Sequence, residues 1–213
     1  MTTDDADSVA LYREFLSSLP IGEPLEPQVD HFGWETFPFV KDAEGRVRVR
    51  PLNEPVLPEP PRNGEGGPGD CMICNKPDEK YLWTDEHWRV AYQDDGSRRG
   101  GLAVLFLEPR VHADLADLPA ERVAELGPMI VRVERALASL DGVGRVHVSR
   151  WGDGIAHLHF WFLARPAGLL QTCGAFLPLW NAVLPKLAVR HARAVNVKLA
   201  AALEKDGGRA HLR

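Results

Sequence analysis

The sequence predicts an α+β protein in which helices flank an antiparallel sheet and a proline-rich arm precedes it. Three observations predict this class. Short apolar strand patterns follow one another between residues 80 and 108, one long helical pattern comes next, and two further strand patterns precede a helical C-terminus. Consecutive strands joined by short turns pair antiparallel, because parallel strands need a long crossover between them.

The individual elements are predicted from periodicity and from the residues that interrupt it. Strand patterns cover residues 80–83, 88–93, 102–108, 144–150 and 155–164. Helical patterns cover residues 118–140, 174–187 and 190–204. Pro119 suits the start of the first helix and Gly142 follows its end, since proline is tolerated in the first turn and glycine is frequent just after a helix.

The sequence divides into three segments. We expect a proline-rich extension over residues 1–68, the main α+β domain over 69–170, and C-terminal helices packed on it over 171–213. Prolines recur through residues 20–61, and they disfavour long helices and central strands because proline lacks a backbone donor. The glycine-rich stretch 63–69 predicts a flexible joint.

The arm also contains several aromatic residues, which are unusual in disordered segments. They are Phe32, Trp34, Phe37 and Phe39. After a short helix over residues 11–19, we therefore expect the arm to lie against the folded domain or a second subunit.

Composition limits the classes of partner. The chain has 213 residues, 45% of them hydrophobic, which is ordinary for a globular protein. Its formal net charge of −5 provides no global basic field, so we expect no nucleic acid as a partner. The sequence also lacks an apolar run of spanning length and the basic, apolar start of a signal peptide, and therefore predicts a cytoplasmic protein without a membrane span.

Two histidines alternate in the strand pattern 155–164. Successive side chains of a strand point to opposite faces, so His157, His159 and Trp161 share one face. The other face carries Leu158, Phe160 and Phe162. Two neighbouring imidazoles cost desolvation energy unless each has a partner, and the pair therefore favours a site over plain core packing.

The pair Cys71 and Cys74 has the spacing C-x-x-C. Such a pair can direct two thiolates at one zinc ion, but it also occurs as a redox dithiol or as two incidental buried cysteines. The redox alternative normally follows a strand in a βαβ unit, whereas this pair follows a glycine- and proline-rich stretch. A zinc site would need two more ligands, for which His112 and His157 are candidates.

The order of these motifs resembles the histidine-triad superfamily. The shared features are Cys-x-x-Cys, a strand that ends in Pro-Arg-x-His, and a later His-x-His strand, all within residues 70–166. The superfamily includes nucleotide hydrolases, nucleotidyl transferases and galactose-1-phosphate uridylyltransferase. The resemblance implies a zinc ion as cofactor. It implies the ligands Cys71, Cys74, His112 and His157.

The same resemblance implies that His159 is the nucleophile. A neutral imidazole can attack an α-phosphorus and form a covalent nucleotidyl intermediate, which water or a second acceptor resolves. The implied partner is a nucleotide or nucleotide-like phosphate ester, cleaved at a phosphoanhydride, phosphoramidate or phosphoester bond. Relatives of this kind often form homodimers.

The chain departs from the family where Trp161 replaces the third histidine. An indole N–H donates one hydrogen bond but cannot exchange a proton, and its bulk can narrow the phosphate pocket. Uridylyltransferase-type members carry glutamine there, so chemistry is compatible with the loss. The alternative function is a catalytically degenerate nucleotide-binding or interaction module.

The polar residues expected to contact the ligand have simpler alternatives. Ser149, Arg150 and the backbone at Gly152 can donate to phosphate, or residues 152–154 can form a plain hairpin turn. Asp94 or Asp95 resembles the acidic position that contacts ribose in relatives, although an Asp-Asp-Gly sequence also favours a turn.

Three further residues are expected to have structural and not functional roles. We expect His147 at the surface, Cys173 as a small core residue of the helix over 174–187, and Trp151 in packing contacts.

Overall fold

The structure is a computed structural model that describes residues 39–49, 51, 54–93, 103–183 and 189–212. The predicted helix over residues 11–19, most of the aromatic residues of the arm, and both Asp94 and Asp95 lie outside these ranges. The described chain divides into two compact units, one formed by residues up to Pro61 and the other by residues from Arg62 onward.

The first unit contains a β-hairpin, which the sequence interpretation did not include. Its strands are β1 (Phe39–Lys41) and β2 (Val47–Val49), which pair antiparallel. The Asp42 carboxylate holds the turn by accepting the backbone N–H of Arg46 at 2.8 Å. No proline lies between residues 39 and 49, so the backbone donors that a hairpin needs are all present there.

The described residues of the second unit form a six-stranded sheet with three helices. Its strands are β3 (Trp83–Thr84), β4 (Trp88–Tyr92), β5 (Val104–Pro109), β6 (Val143–Ser149), β7 (Phe160–Pro166) and β8 (Arg209–Ala210). Its helices are α1 (Ala120–Ala138), α2 (Phe176–Val183) and α3 (Val189–Glu204). The strand order is β6-β7-β5-β4-β3-β8 and every pair is antiparallel, which confirms the predicted α+β class.

The two faces of the sheet are covered by different helices. Leu105 lies opposite Phe162 in the β5–β7 pair, and both join the large core beneath α1 and α3. Val104 lies opposite Leu163, and these two pack instead with Leu177 of α2. Alternation along β5 and β7 thus divides the apolar residues between two cores.

Helix α1 has nearly the predicted bounds. Pro119 occupies the position before its first residue, and the buried residues recur on one side of the helix. They are Met129, Val133, Ala136 and Leu137. This spacing of three to four residues is the apolar stripe from which the helix was predicted.

The predicted strand over residues 155–164 begins later than expected, at Phe160. The backbone N–H of Ala156 donates to Asn63 at 2.9 Å, and that of Leu158 donates to Ala113 at 2.9 Å. Because loop carbonyls take these donors, His157 and His159 lie in the segment that leads into β7 rather than in the strand itself.

Of three smaller predictions, two differ from the structure. The first predicted strand is shorter than residues 80–83, because Asp78–Lys80 forms a 3-10 turn before β3. Cys173 is exposed and precedes α2, so its assignment to the helix core is wrong. Trp151 makes the expected packing contact, edge to face with Trp161, although the residue is 41% exposed.

Among the described residues, none of the helices is long and apolar enough to cross a membrane.

Candidate functional site

Four candidate metal ligands come together at one end of the sheet. The ligand atoms of Cys71, Cys74, His112 and His157 all lie within 4.8 Å of one another. Cys71 and His157 are buried, and the other two residues are half-buried. The cluster joins residues that are 86 positions apart in the chain.

The sheet explains why the two histidines meet. Leu107 of β5 pairs with Phe160 of β7, and the two strands run in opposite directions. His112 follows the end of β5 and His157 precedes the start of β7, so both lie beyond the same end of one strand pair. Neighbouring strands are about 4.8 Å apart, which brings the two side chains into reach of one ion.

The distances within the cluster suit a tetrahedral ion. Cys74 Sγ lies 3.3 Å from Nδ1 of His112 and 3.3 Å from Nδ1 of His157, and Cys71 Sγ lies 3.6 Å from Nδ1 of His157. Zinc–sulfur bonds of about 2.3 Å and zinc–nitrogen bonds of about 2.0 Å at tetrahedral angles place sulfur and nitrogen about 3.5 Å apart. The four residues therefore fit a metal ion of this geometry.

Backbone carbonyls orient both imidazoles toward the sulfurs. Nε2 of His157 lies 2.8 Å from the Pro109 carbonyl, and Nε2 of His112 lies 3.1 Å from the Gly64 carbonyl. A carbonyl only accepts, so each Nε2 carries the proton and donates it. The Nδ1 lone pairs then face the sulfurs, as outer hydrogen bonds commonly arrange in metal sites.

Burial favours the uncharged forms of Cys74 and His157. It raises the pKa of the Cys74 thiol to about 11, and the neighbouring Cys71 adds to this effect. It also lowers the pKa of His157 to about 4. A cation would favour the thiolate form, so binding of a metal would release protons from the thiols.

Residues of the predicted flexible joint close the cluster. Gly64 has φ of 80°, and a Cβ there would lie 3.0 Å from Cys71 Cβ and 3.2 Å from His112 Cε1. Asn63 accepts the Met72 N–H at 2.8 Å and donates to the Asp70 carbonyl at 2.9 Å. Glycine is therefore needed for close approach here, where the sequence interpretation considered only its flexibility.

A buried polar group supports the turn between the cysteines. The Tyr81 hydroxyl donates to the Ile73 carbonyl at 3.2 Å, and the Arg89 guanidinium lies 4.8 Å from the Tyr81 ring. Glu108 of β5 lies opposite Arg89 of β4 in the sheet, and burial raises the pKa of the Glu108 carboxyl. Sequence reasoning missed these residues because a lone charged position in a short strand normally indicates an exposed side chain.

His159 lies next to the metal cluster and is only 8% exposed. Its Nδ1 lies 2.9 Å from the backbone carbonyl of His157, to which it donates a hydrogen bond. That bond places the proton on Nδ1 and leaves the Nε2 lone pair available. The acceptor that holds this tautomer could not be identified from the sequence, because it is a backbone atom.

A group of aromatic rings lies near His159. The ring centroids of His159 and Trp161 are 6.3 Å apart. Trp161 contacts Phe106 at 4.5 Å and Trp151 at 5.2 Å, both edge to face. Its indole nitrogen is buried and has no hydrogen-bond partner among the described residues.

Two of the predicted phosphate-contacting residues, Arg150 and Gly152, interact with Asp114 and Arg62. Arg150 forms an ion pair with Asp114, and its guanidinium packs against Gly152. Arg62 pairs with Asp114 at 2.9 Å and donates to the Gly152 carbonyl at 3.1 Å. Arg62 and Asp114 have no local motif that could have singled them out.

Ser149 lies opposite Trp161 in the β6–β7 pair. Its position at the end of β6 brings it to the same region of the sheet as His159. The expected ribose contact at Asp94 or Asp95 lies outside the described residues.

Known proteins match the chain only at the level of solved structures. No protein-family model and no curated protein matches the sequence. A histidine triad protein from Marinobacter aquaeolei VT8 is 22% identical, with 59% of this chain and 88% of that chain covered and a TM-score of 0.47. A zinc-bound histidine triad family protein from Mycobacterium smegmatis is 20% identical, with 65% and 96% covered and a TM-score of 0.45.

A uridylyltransferase structure also matches, at 16% identity and a TM-score of 0.45. The alignment covers 64% of this chain and 46% of the uridylyltransferase chain. These matches are partial, and each of the three solved structures is less than 25% identical to this chain.

Proposed function

We propose that the chain is a zinc protein that hydrolyses or transfers nucleotides, or similar phosphate esters, through a covalent intermediate on His159. The observation that carries the proposal is the hydrogen bond from His159 Nδ1 to the His157 carbonyl. It joins the candidate nucleophile directly to a candidate metal ligand and leaves Nε2 free to react.

The proposed reaction has two steps, formation of the intermediate on His159 and its resolution. Nε2 of His159 attacks the phosphorus, an N–P bond forms, and the P–O or P–N bond to the leaving group breaks. The leaving group departs with the electron pair and takes a proton from solvent. Water or another hydroxyl acceptor then attacks the same phosphorus, the N–P bond breaks, and the acceptor's proton passes to solvent.

The metal cluster would act through orientation. A zinc ion held by Cys71, Cys74, His112 and His157 supplies a structural cross-link between distant parts of the chain. His157, fixed by such a site, presents its carbonyl to His159 in one orientation. The cysteine pair is thus assigned to metal binding, which the sulfur–nitrogen distances of 3.3 and 3.6 Å support over a redox dithiol.

Polar groups near His159 are proposed to bind the phosphate. Ser149 lies at the end of β6, and Arg150 uses Nη2 for Asp114 while a guanidinium has five N–H donors in all. The backbone at Gly152 adds further donors, and Trp161 adds one indole N–H. The homodimer and the cytoplasmic location remain predictions from the sequence.

A binding module without turnover is the second candidate. Two observations favour it. Arg150 is already neutralised by Asp114, and Trp161 packs edge to face against two aromatic rings where relatives carry a polar residue. Such a protein would keep the metal and the ligand but would form no adduct.

Intact-protein mass spectrometry with metal analysis tests the proposal. The protein is measured before and after incubation with nucleotides and dinucleoside polyphosphates. We expect one zinc per chain, a nucleotidyl mass increase, and loss of that increase in His159→Ala with the zinc retained. Zinc without adduct or turnover would support the binding module, and an adduct that persists in His159→Ala would show that another residue is the nucleophile.

A further inference from the structure

We propose that Trp151, Trp161 and Phe106 form an aromatic platform that stacks the planar ring of the substrate beside His159. The ring belongs either to a nucleobase or to an aromatic leaving group. The inference rests on the proposed function, since it takes His159 as the reacting residue. It adds that Trp151 determines which phosphate esters bind.

The platform is continuous with the nucleophile. His159 and Trp161 are separated by one residue, and their ring centroids lie 6.3 Å apart. Trp161 is fixed by edge-to-face contacts with Phe106 and Trp151 at 4.5 and 5.2 Å. Such contacts stabilise aromatic pairs and hold the rings in place, so a ligand would meet a preformed surface.

Trp151 is the member of the platform that faces solvent. It is 41% exposed, whereas Trp83 and Trp88 are almost completely buried in the core. Exposing a large apolar ring forfeits the free energy of burying it. The exposed Trp151 ring contacts the half-buried Trp161 ring beside His159 and is therefore accessible to a planar ligand.

Trp161 contributes an independent indication. Its indole N–H is buried and has no acceptor in the described part of the chain. A buried donor without a partner is unfavourable, and a ligand oxygen or ring nitrogen can satisfy it. Trp161 therefore provides one unsatisfied hydrogen-bond donor next to the Trp151 ring.

This arrangement predicts the class of substrate. Every nucleobase has a π-face, so stacking on an aromatic side chain tolerates different bases. We expect the site to distinguish ligands with a planar ring from ligands without one, and to distinguish adenine from cytosine only weakly.

Isothermal titration of ligand pairs tests the platform. AMP is compared with ribose 5-phosphate, which lacks the base, in the wild-type protein, Trp151→Ala and Trp151→Phe. We expect AMP to bind about tenfold more tightly than ribose 5-phosphate, Trp151→Ala to abolish that advantage, and Trp151→Phe to retain most of it. Val131→Ala, an exposed position on α1 behind the opposite face of the sheet, should leave both affinities unchanged.

A second pair identifies where the ring comes from. Phenyl phosphate is compared with ethyl phosphate in the same variants. A Trp151-dependent preference for AMP assigns the platform to the base, and one for phenyl phosphate alone assigns it to the leaving group. If Trp151→Ala keeps every preference of the wild-type protein, or no preference exists, the platform proposal is overturned.

The adduct on His159 is measured in parallel by intact mass, which separates this inference from the proposed function. An adduct that forms without any Trp151-dependent ring preference supports the chemistry and rejects the platform. A Trp151-dependent ring preference without any adduct supports the platform as a binding site and rejects the chemistry.

Discussion

At the residue scale, we expect the Cys74 thiol to control how metal binding at the candidate site responds to pH. Burial raises the pKa of Cys74 to about 11 and lowers that of His157 to about 4. A metal ligand must be deprotonated, so protons compete with the ion at the thiols. His157 is already neutral above its lowered pKa, and it therefore adds no pH dependence near neutrality.

We expect the apparent zinc affinity to rise with pH and to fall on acidification. Between roughly pH 6 and 8 the affinity should change by about tenfold per pH unit, because the Cys74 thiol, whose pKa is raised, releases one proton when it binds the ion. Competition with a chelator of known affinity at several pH values measures this slope. A midpoint near the ordinary histidine pKa, with a flat profile above it, would contradict the assignment of the Cys74 thiol as the controlling group.

Single residues also show what sequence reasoning can detect. Cys71, Cys74 and the two histidines of His-x-His were identified because their spacing is local. Arg62 and Asp114 escaped detection, since they are 52 positions apart and meet only when two loops are brought together.

At the element scale, a glycine lets the turn before β8 lie against Trp83. Gly208 has φ of 76°, and a Cβ at this position would overlap the indole of Trp83. Trp83 donates to the Gly207 carbonyl at 2.9 Å, so the turn before β8 lies directly on the ring.

Gly208→Ala is therefore expected to displace β8 and to lower the free energy of unfolding by about 2–4 kcal/mol, through positive-φ strain and overpacking together. Urea unfolding followed by circular dichroism measures the loss. Gly207→Ala is a matched control, because Gly207 also has a positive φ, of 96°, but has open space around it. Equal losses in the two variants would mean that backbone strain alone, and not the contact with Trp83, accounts for the effect.

Element boundaries were predicted well where packing and periodicity agree. Helix α1 is an example, because its apolar stripe is the face that the core buries. The strand predicted from residue 155 starts at Phe160, since Asn63 and Ala113 take the backbone donors before it. Periodicity describes which side chains alternate, and it does not describe which carbonyl accepts each N–H.

At the scale of the whole molecule, the metal cluster connects distant parts of the chain. Cys71 and His157 are 86 positions apart, and His112 lies between them beyond the end of β5. A cross-link of this length restricts the unfolded chain and also holds buried ligands that are otherwise protonated and only partly satisfied.

Removing the metal is expected to lower the melting temperature of the protein by about 10 °C or more, since metal bound only to the folded state adds its binding free energy to stability. Thermal unfolding with and without a strong chelator measures the shift. Cys74→Ser should melt at the lower temperature and should not respond to the chelator. An unchanged melting temperature in the wild-type protein would argue against a structural metal.

The sequence by itself determined the class of fold, the order of the main elements and the identity of the candidate ligands. The fold class and the order of elements depend on periodicity, which is local in the chain, and the candidate ligands come from the C-x-x-C and His-x-His spacings together with the family resemblance. The tertiary structure alone decided that the four ligand atoms lie within 4.8 Å of one another, that a backbone carbonyl holds His159, and that Trp151 faces solvent beside Trp161. Each of these depends on contacts between distant segments, which are set by strand register and packing and have no local pattern.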